Sequence, residues 1–389
     1  MSTPGNPFEG IFGELAKLFT NQGPVNLQIA RQMARWLAVE GGAEANIEPL
    51  ERIRYEELSR AADLQVSTAT GLSTSVTGGV LEVRPVGRAD FAGRTLDAYQ
   101  PLFEGLAKSF SGATQDDEAA AGQSEVDPTA QLLGGVTEVV GPFLLGLQAG
   151  SLVGHQARRA MGQYDLPVPR PPSDELLVLP ASVNAFAADW SLDPDDVRMW
   201  VCLVQITHHA VLGRPHVNER LGGLLRQYAE GFQTDPSVFE DKLGAIDPTN
   251  PASLQEALGD PSELLGAMQT PAQRGLLTRL KALVATIEGY VDRIVGTTGG
   301  KLVASAPALI EATRRRRSEG GEGERLAEHL FGLELGQAEY ERGAAFVGGV
   351  LERAGEEGLD RLWRSERELP TPAEVDAPGL WLERIDLPD

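Results

Sequence analysis

The sequence predicts a mainly α-helical protein with a small β-sheet. Two observations lead there. Hydrophobic residues make up 42% of the 389 residues, but aromatics only 6%. Ala, Leu and Gly are abundant, a mix that suits close-packed helices better than β-sandwiches. Apolar residues also recur at helical spacing over most of the chain, and a strand-like period of two interrupts them only briefly. The length fits one large domain or two intimate ones.

Taken in order, residues 8–20, "FEGIFGELAKLFT", predict a short amphipathic helix. "GPVNLQIARQMARWLAVEGG" predicts a second, started at Pro24 and Asn26 and ended by Gly41-Gly42, with Ile29, Met33, Trp36 and Leu37 as its apolar stripe. Pro49–Thr70 predicts a third, with Leu50, Ile53, Leu58, Ala61 and Leu64 facing inward. In "GGVLEVRPVGRADFAG", Val80, Glu82 and Arg84 alternate with Leu81, Val83 and Pro85, a strand pattern. Asp97 to Phe110 is helical again, and the polar, acidic stretch 111–129 reads as a flexible linker.

The next stretch, Leu132 to Gly154, is long and apolar, but Glu138, Gln148 and Gly141-Pro142 argue against a membrane span. Gly146, Gly150 and Gly154 share one helix face, where another helix can approach closely. Leu176–Leu179 predicts a short buried strand. "SLDPDDVRMWVCLVQITHHAVLG" predicts the central helix, capped by Ser191 or Asp193, with Pro194 in its first position and Asp195-Asp196 at the positive end of its dipole. Short helices are expected over 215–275 and a long one over Ala272–Thr297. Arg314 to Arg317 reads as an exposed loop, Leu326–Ala354 as helical, and the Pro-rich end as extended. The expected units are an N-terminal helical unit (8–110) packed on the core, the linker (111–129), and a helical core (130–386).

A net charge of −22 opposes phosphate backbones and anionic membrane surfaces, so nucleic acid and membrane are not expected partners. The single cysteine, Cys202, allows no intrachain disulfide and reads as buried filler. "MSTPGNPFEG" lacks a basic region followed by an apolar stretch, so a cytoplasmic location is expected.

The window that bears on chemistry is "LVQITHHAVLG", Leu203–Gly213. A zinc-peptidase helix carries two His four residues apart, a rotation of about 400° that points both imidazoles the same way. A Glu after the first His takes a proton from the zinc-bound water. Here the matching window is Val204-Gln205-Ile206-Thr207-His208.

Several segments, spread from end to end, resemble the actinobacterial zincin-like metallopeptidase family, whose members are often described as hydrolases. They are "NPFEGIFGEL", "GPVNLQIARQMARWLAVEGG", "LLGLQAGSLVGHQARRAMGQYDLPVP", "RMWVCLVQITHHAVLGRPHV", "IEGYVDRIV", "YERGAAFV", "GLDRLW" and "ELPTPAEVDAPGLWLERI". The resemblance implies a zincin-like fold and a His-Glu-x-x-His helix after Trp200-Val201. Val204 then stands at the first ligand position, Gln205 at the general-base position and His208 at the second ligand position. The resemblance further implies Glu288 as third ligand and Asp292, one turn on, as a carboxylate that orients a ligand His.

Two protein ligands are too few for a catalytic zinc, which takes three plus water. Loss of a general base alone costs about 10²–10⁴ in rate. The leading expectation is therefore a pseudopeptidase without a cofactor, whose cleft binds or scaffolds an unidentified protein or peptide, with an active paralogue as one candidate partner. One alternative is an active zinc hydrolase with rearranged ligands His208, His216 and Glu288, and Asp292 or Glu219 as base. The other is an interaction module with a closed cleft. Without a metal, His208 is expected to bond Glu288 or Asp292 across the old cleft. Tyr290 and Tyr340 are expected to pack near it, whereas His155 and His329 show no partner in sequence.

Overall fold

A computed structural model of the chain describes residues 23–120, 128–232, 270–333 and 336–387. The helix expected at 8–20 and most of the short helices expected beyond residue 232 lie outside these residues. Helices dominate, and the described strands form one two-stranded parallel sheet of β1 (Glu82–Pro85) and β2 (Glu175–Val178). Val83 pairs with Leu176 and Pro85 with Val178, in the two places where the helical period failed.

Two helix contacts are so close that only glycine fits. Helix α1 (Leu27–Ala38) packs along the later half of α4 (Pro128–Arg159). A Cβ on Gly146 would lie 2.5 Å from the Asn26 carbonyl oxygen, and one on Gly150 2.7 Å from that of Ala30. One on Gly154 would lie 2.6 Å from Leu37 Cβ. The glycine face read from sequence is therefore a helix seat, and no helix among the described residues is long and apolar enough to cross a membrane.

This seat also corrects the predicted stripe of α1. Its buried face is Ala30, Ala34 and Ala38, because backbone-to-backbone approach needs small residues, and Trp36 is left 59% exposed. Helix α2 (Pro49–Thr70) likewise turns Tyr55, Ser59, Ala62, Val66 and Thr70 inward, leaving Leu50 74% exposed and Ile53, Ala61 and Leu64 outside.

Helix α3 (Arg88–Ala120) runs on into the segment expected to be a linker, of which residues 121–127 lie outside the described part. It packs against α1 and α4, so the N-terminal helices and the core share contacts. After β2 come α5 (Pro180–Asp189), the central α6 (Pro194–Leu212) and α7 (Pro215–Glu230). Asp193 caps α6 by accepting from the amides of Asp195 (2.8 Å) and Asp196 (3.2 Å). Arg198, one turn on, grips Glu51 of α2 through two bonds of 3.1 and 3.2 Å. Cys202 is fully buried in α6.

The long α8 (Pro271–Leu302) starts with a reciprocal cap between Thr270 and Gln273. It crosses α11 (Gln337–Leu359) at a second glycine contact, where a Cβ on Gly343 would stand 1.9 Å from the Ala285 carbonyl oxygen. Between them lie α9 (Ala306–Glu319) and α10 (Glu322–Phe331). The Arg314–Arg317 run thus lies in the last two turns of a helix, not in a loop. Arginine is a good helix former, and positive charge suits a helix C-terminus. The Pro-rich end forms α12 (Pro372–Asp376) and α13 (Pro378–Asp386) instead of extended chain, since Pro372 and Pro378 occupy first helical positions, where no amide is needed.

Gly343→Ala should destabilise the fold by about 1–3 kcal/mol in urea denaturation, through overpacking of the α8–α11 crossing. Gly348→Ala, in the same helix with nothing within 4 Å of the added Cβ, should be neutral or stabilising by up to about 1 kcal/mol. Equal effects at both positions would contradict this packing.

Candidate functional site

His208 on α6 and Glu288 on α8 face each other in the core, 2% and 3% exposed. The His208 Nδ1 lies 3.0 Å from the Val204 carbonyl oxygen, which can only accept, so Nδ1 carries a proton. Nε2 lies 3.0 Å from Glu288 Oε1. Burial pulls the His208 pKa down, but the Glu288 carboxylate and the Val204 carbonyl outweigh it and raise the net value. Burial would likewise raise the Glu288 pKa, but the His208 and Arg317 charges hold it below the usual carboxylate range. Both directions favour the charged forms of this buried histidine–carboxylate pair.

Gln205, one residue along α6 from Val204, uses both ends of its amide. Its Oε1 accepts from the Tyr164 amide at 2.8 Å, and its Nε2 donates to Asp165 Oδ1 at 3.0 Å. Asp165 also accepts from the amides of Met161 (2.8 Å) and Gly162 (3.1 Å). Burial raises the Asp165 pKa, opposed by Arg316 and those amides. The loop presses so closely on Gln205 that a Cβ on Gly162 would sit 2.3 Å from the Gln205 Cδ.

A cavity of about 130 Å³ opens beside these pairs. Trp200, Val204, Tyr164, Arg316, Arg317 and Tyr340 are among the residues that line it. Arg317 holds Asp292 through two bonds of 2.7 and 2.8 Å and lies 4.0 Å over the Tyr340 ring. The indole Nε1 of Trp200 and the Thr313 hydroxyl are buried there without partners among the described residues.

Val204, Gln205, His208 and Glu288 all line this one cavity. Asp292 does not bond His208; both of its carboxylate oxygens accept from Arg317. His216 lies in the first turn of α7 and does not line the cavity, so the set His208, His216 and Glu288 is not assembled. Among the described residues no group of three or more His, Cys, Asp or Glu is placed to hold a metal. A zincin zinc does not fit the side chains present. Val204 has no side-chain donor atom, and the Gln205 amide is engaged at both ends.

Tyr340 lines the cleft, whereas Tyr290 packs edge-on against Trp363 at 5.3 Å. His155 has a partner after all, Glu322, at 2.8 Å, while the His329 Nε2 has none among the described residues. Asp165, Arg316 and Arg317 escaped the sequence reading, because their roles depend on partners 25 to 157 positions away.

The neighbour on α6 behaves oppositely. Burial pushes the His209 pKa down to about 4. Ring-nitrogen NMR should therefore show His208 still protonated above pH 6.5 and His209 neutral until the pH falls to about 4. By linkage, the proton on His208 stabilises the fold below pH 6.5, and that contribution is lost as pH rises through the raised value. His209 stabilises above pH 6.5 and loses its contribution as pH falls toward 4. Two rings titrating together near 6.5 would contradict both assignments.

Comparison with known proteins agrees with this architecture. The family model for zincin-like metallopeptidases matches residues 25–382. No curated protein matches the chain. A crystal structure described as a putative hydrolase with a novel fold, from Chloroflexus aurantiacus, superposes with a TM-score of 0.59 at 22% identity, covering 94% of this chain and 100% of that one. At that identity the likeness concerns the fold alone. The chain belongs to the zincin-like metallopeptidase family.

Proposed function

We propose that this member of the zincin-like metallopeptidase family is a pseudopeptidase, whose cleft binds a protein or peptide segment without cleaving it. The observation that carries this reading is the pair of closed contacts, Gln205–Asp165 and His208–Glu288, at the positions where the family places base and ligands. An amide cannot take a proton from water near neutral pH. Val204 adds an apolar wall where a ligand would stand.

The open cavity favours binding over a closed interaction module. It combines aromatic walls with buried donors that lack partners, the usual make-up of a recognition site. A paralogue that keeps His and Glu at the positions of Val204 and Gln205 is one candidate partner. The reading as a zinc hydrolase with rearranged ligands has less support, because His216 stands apart from the cleft.

Metal analysis of protein purified without chelators or a polyhistidine tag tests the proposal. Zinc should be well below one equivalent and the same in His208→Ala, and peptidase activity should stay at the level of the blank. Near-stoichiometric zinc that disappears in His208→Ala would overturn the reading.

A further inference from the structure

A second cavity, of about 290 Å³, shares Tyr164 with the first. Two groups with unmet hydrogen-bonding capacity line it. One is Arg170, from the Pro-rich turn after α4. Its guanidinium lies over the rings of Tyr99 (5.5 Å) and Phe91 (5.9 Å), and its Nη2 donates to Thr95 Oγ1 at 2.9 Å and to the Gln163 carbonyl at 3.4 Å. All these partners are neutral. Its Nε is buried with no partner, and no carboxylate among the described residues pairs with it. That is unexpected in a chain with 56 acidic and 34 basic residues. A partly buried cation without a counter-charge is costly, and a buried N–H with no acceptor adds to the cost.

The other group is His209, 3% exposed. Its Nδ1 lies 3.1 Å from the Tyr164 hydroxyl, and its Nε2 is buried without a partner. When the hydroxyl donates to Nδ1, the ring's proton sits on Nε2 and is a second unused donor. Two carboxylates also line the cavity, but both are already neutralised. Glu175 is held by Arg84 and by Arg94 at 2.5 Å, and Asp97 by Arg31 at 2.6 Å. Of the charged side chains that line the cavity, Arg170 is the one left without a counter-charge among the described residues.

We propose that this cavity is a site for a small oxyanion, a carboxylate or phosphate group, held by the Arg170 guanidinium and the His209 Nε2–H. Such a ligand only accepts hydrogen bonds, carries the missing charge and meets both orphan donors at once. It would also fix the Tyr164 hydroxyl as donor to His209. The ring of Tyr164 stacks on His208 at 6.1 Å, and its amide is bonded by Gln205, so the bound anion would stiffen one wall of the first cavity. The site does not depend on the pseudopeptidase reading.

The full-length chain is titrated with sodium phosphate and, separately, with sodium acetate, following Tm and the His209 ring-nitrogen signals. Sodium chloride at matched ionic strength is the control. One anion or both should give a saturable rise in Tm of a few degrees and move the His209 Nε2 signal; which of them does so identifies the ligand group. Both responses should vanish in Arg170→Gln and persist in Arg315→Gln, on the exposed face of α9. If Arg170→Gln fails to fold, His209→Phe keeps a ring and removes Nε2, and should weaken the apparent affinity about tenfold, one charge-assisted hydrogen bond. A response that never saturates, that chloride reproduces, or that survives unchanged in the folded variants would overturn the proposal.

Discussion

The ion pair between His208 and Glu288 is the contact on which the rest of the site depends. Both side chains are buried, so neither charge has water to fall back on. Each ionised form is tolerable only while the other is present. The geometry is set by the two helices that carry them. The α6 helix is fixed by Asp193 at its cap, by Arg198 on Glu51, and by the Asp196 carboxylate, which accepts from the Ser305 amide at 3.0 Å and its hydroxyl at 2.6 Å. The α8 helix is fixed by its reciprocal cap and by the glycine crossing with α11. In a zincin a metal joins the equivalent side chains. We propose that here a proton does.

Gln205 follows the same logic. At its position the surroundings present one donor, the Tyr164 amide, and one acceptor, the Asp165 carboxylate. Only a group that accepts and donates at once satisfies both, and an amide does so at neutral pH. An ionised carboxylate there would leave Asp165 facing a like charge. The closeness of Gly162 to Gln205 shows how tightly the loop has settled around this side chain. The two networks then leave a cavity whose wall is set by α9, through Arg316 on the Arg159 carbonyl and Arg317 on Asp292.

Much of this was legible before the structure. The helical period, the two short strands, the Asp193 cap and the glycine face of α4 are local signals, and local physics decides them. The meeting of Val204, Gln205, His208 and Glu288 followed from family resemblance and helix geometry. What failed were inferences that needed a partner. Trp36 and Leu50 have the hydrophobicity of core residues, but α1 seats its Ala face on the glycines of α4, and α2 turns Tyr55, Ser59 and Ala62 inward instead. Four consecutive arginines resemble a solvated run until Asp292, Asp165 and the Arg159 carbonyl are brought beside them by distant chain. Asp292 was placed on the right helix but assigned the wrong neighbour for the same reason.

The most direct test of the central claim is a double-mutant cycle at His208 and Glu288, using His208→Ala, Glu288→Ala and the double variant in urea denaturation at neutral pH. The cycle is run with and without EDTA. A proton-bridged buried pair predicts a coupling on the order of 2–3 kcal/mol that EDTA does not change. Additive effects of the two substitutions, or a wild-type stability that collapses when EDTA is added, would show that the pair is not what joins α6 to α8.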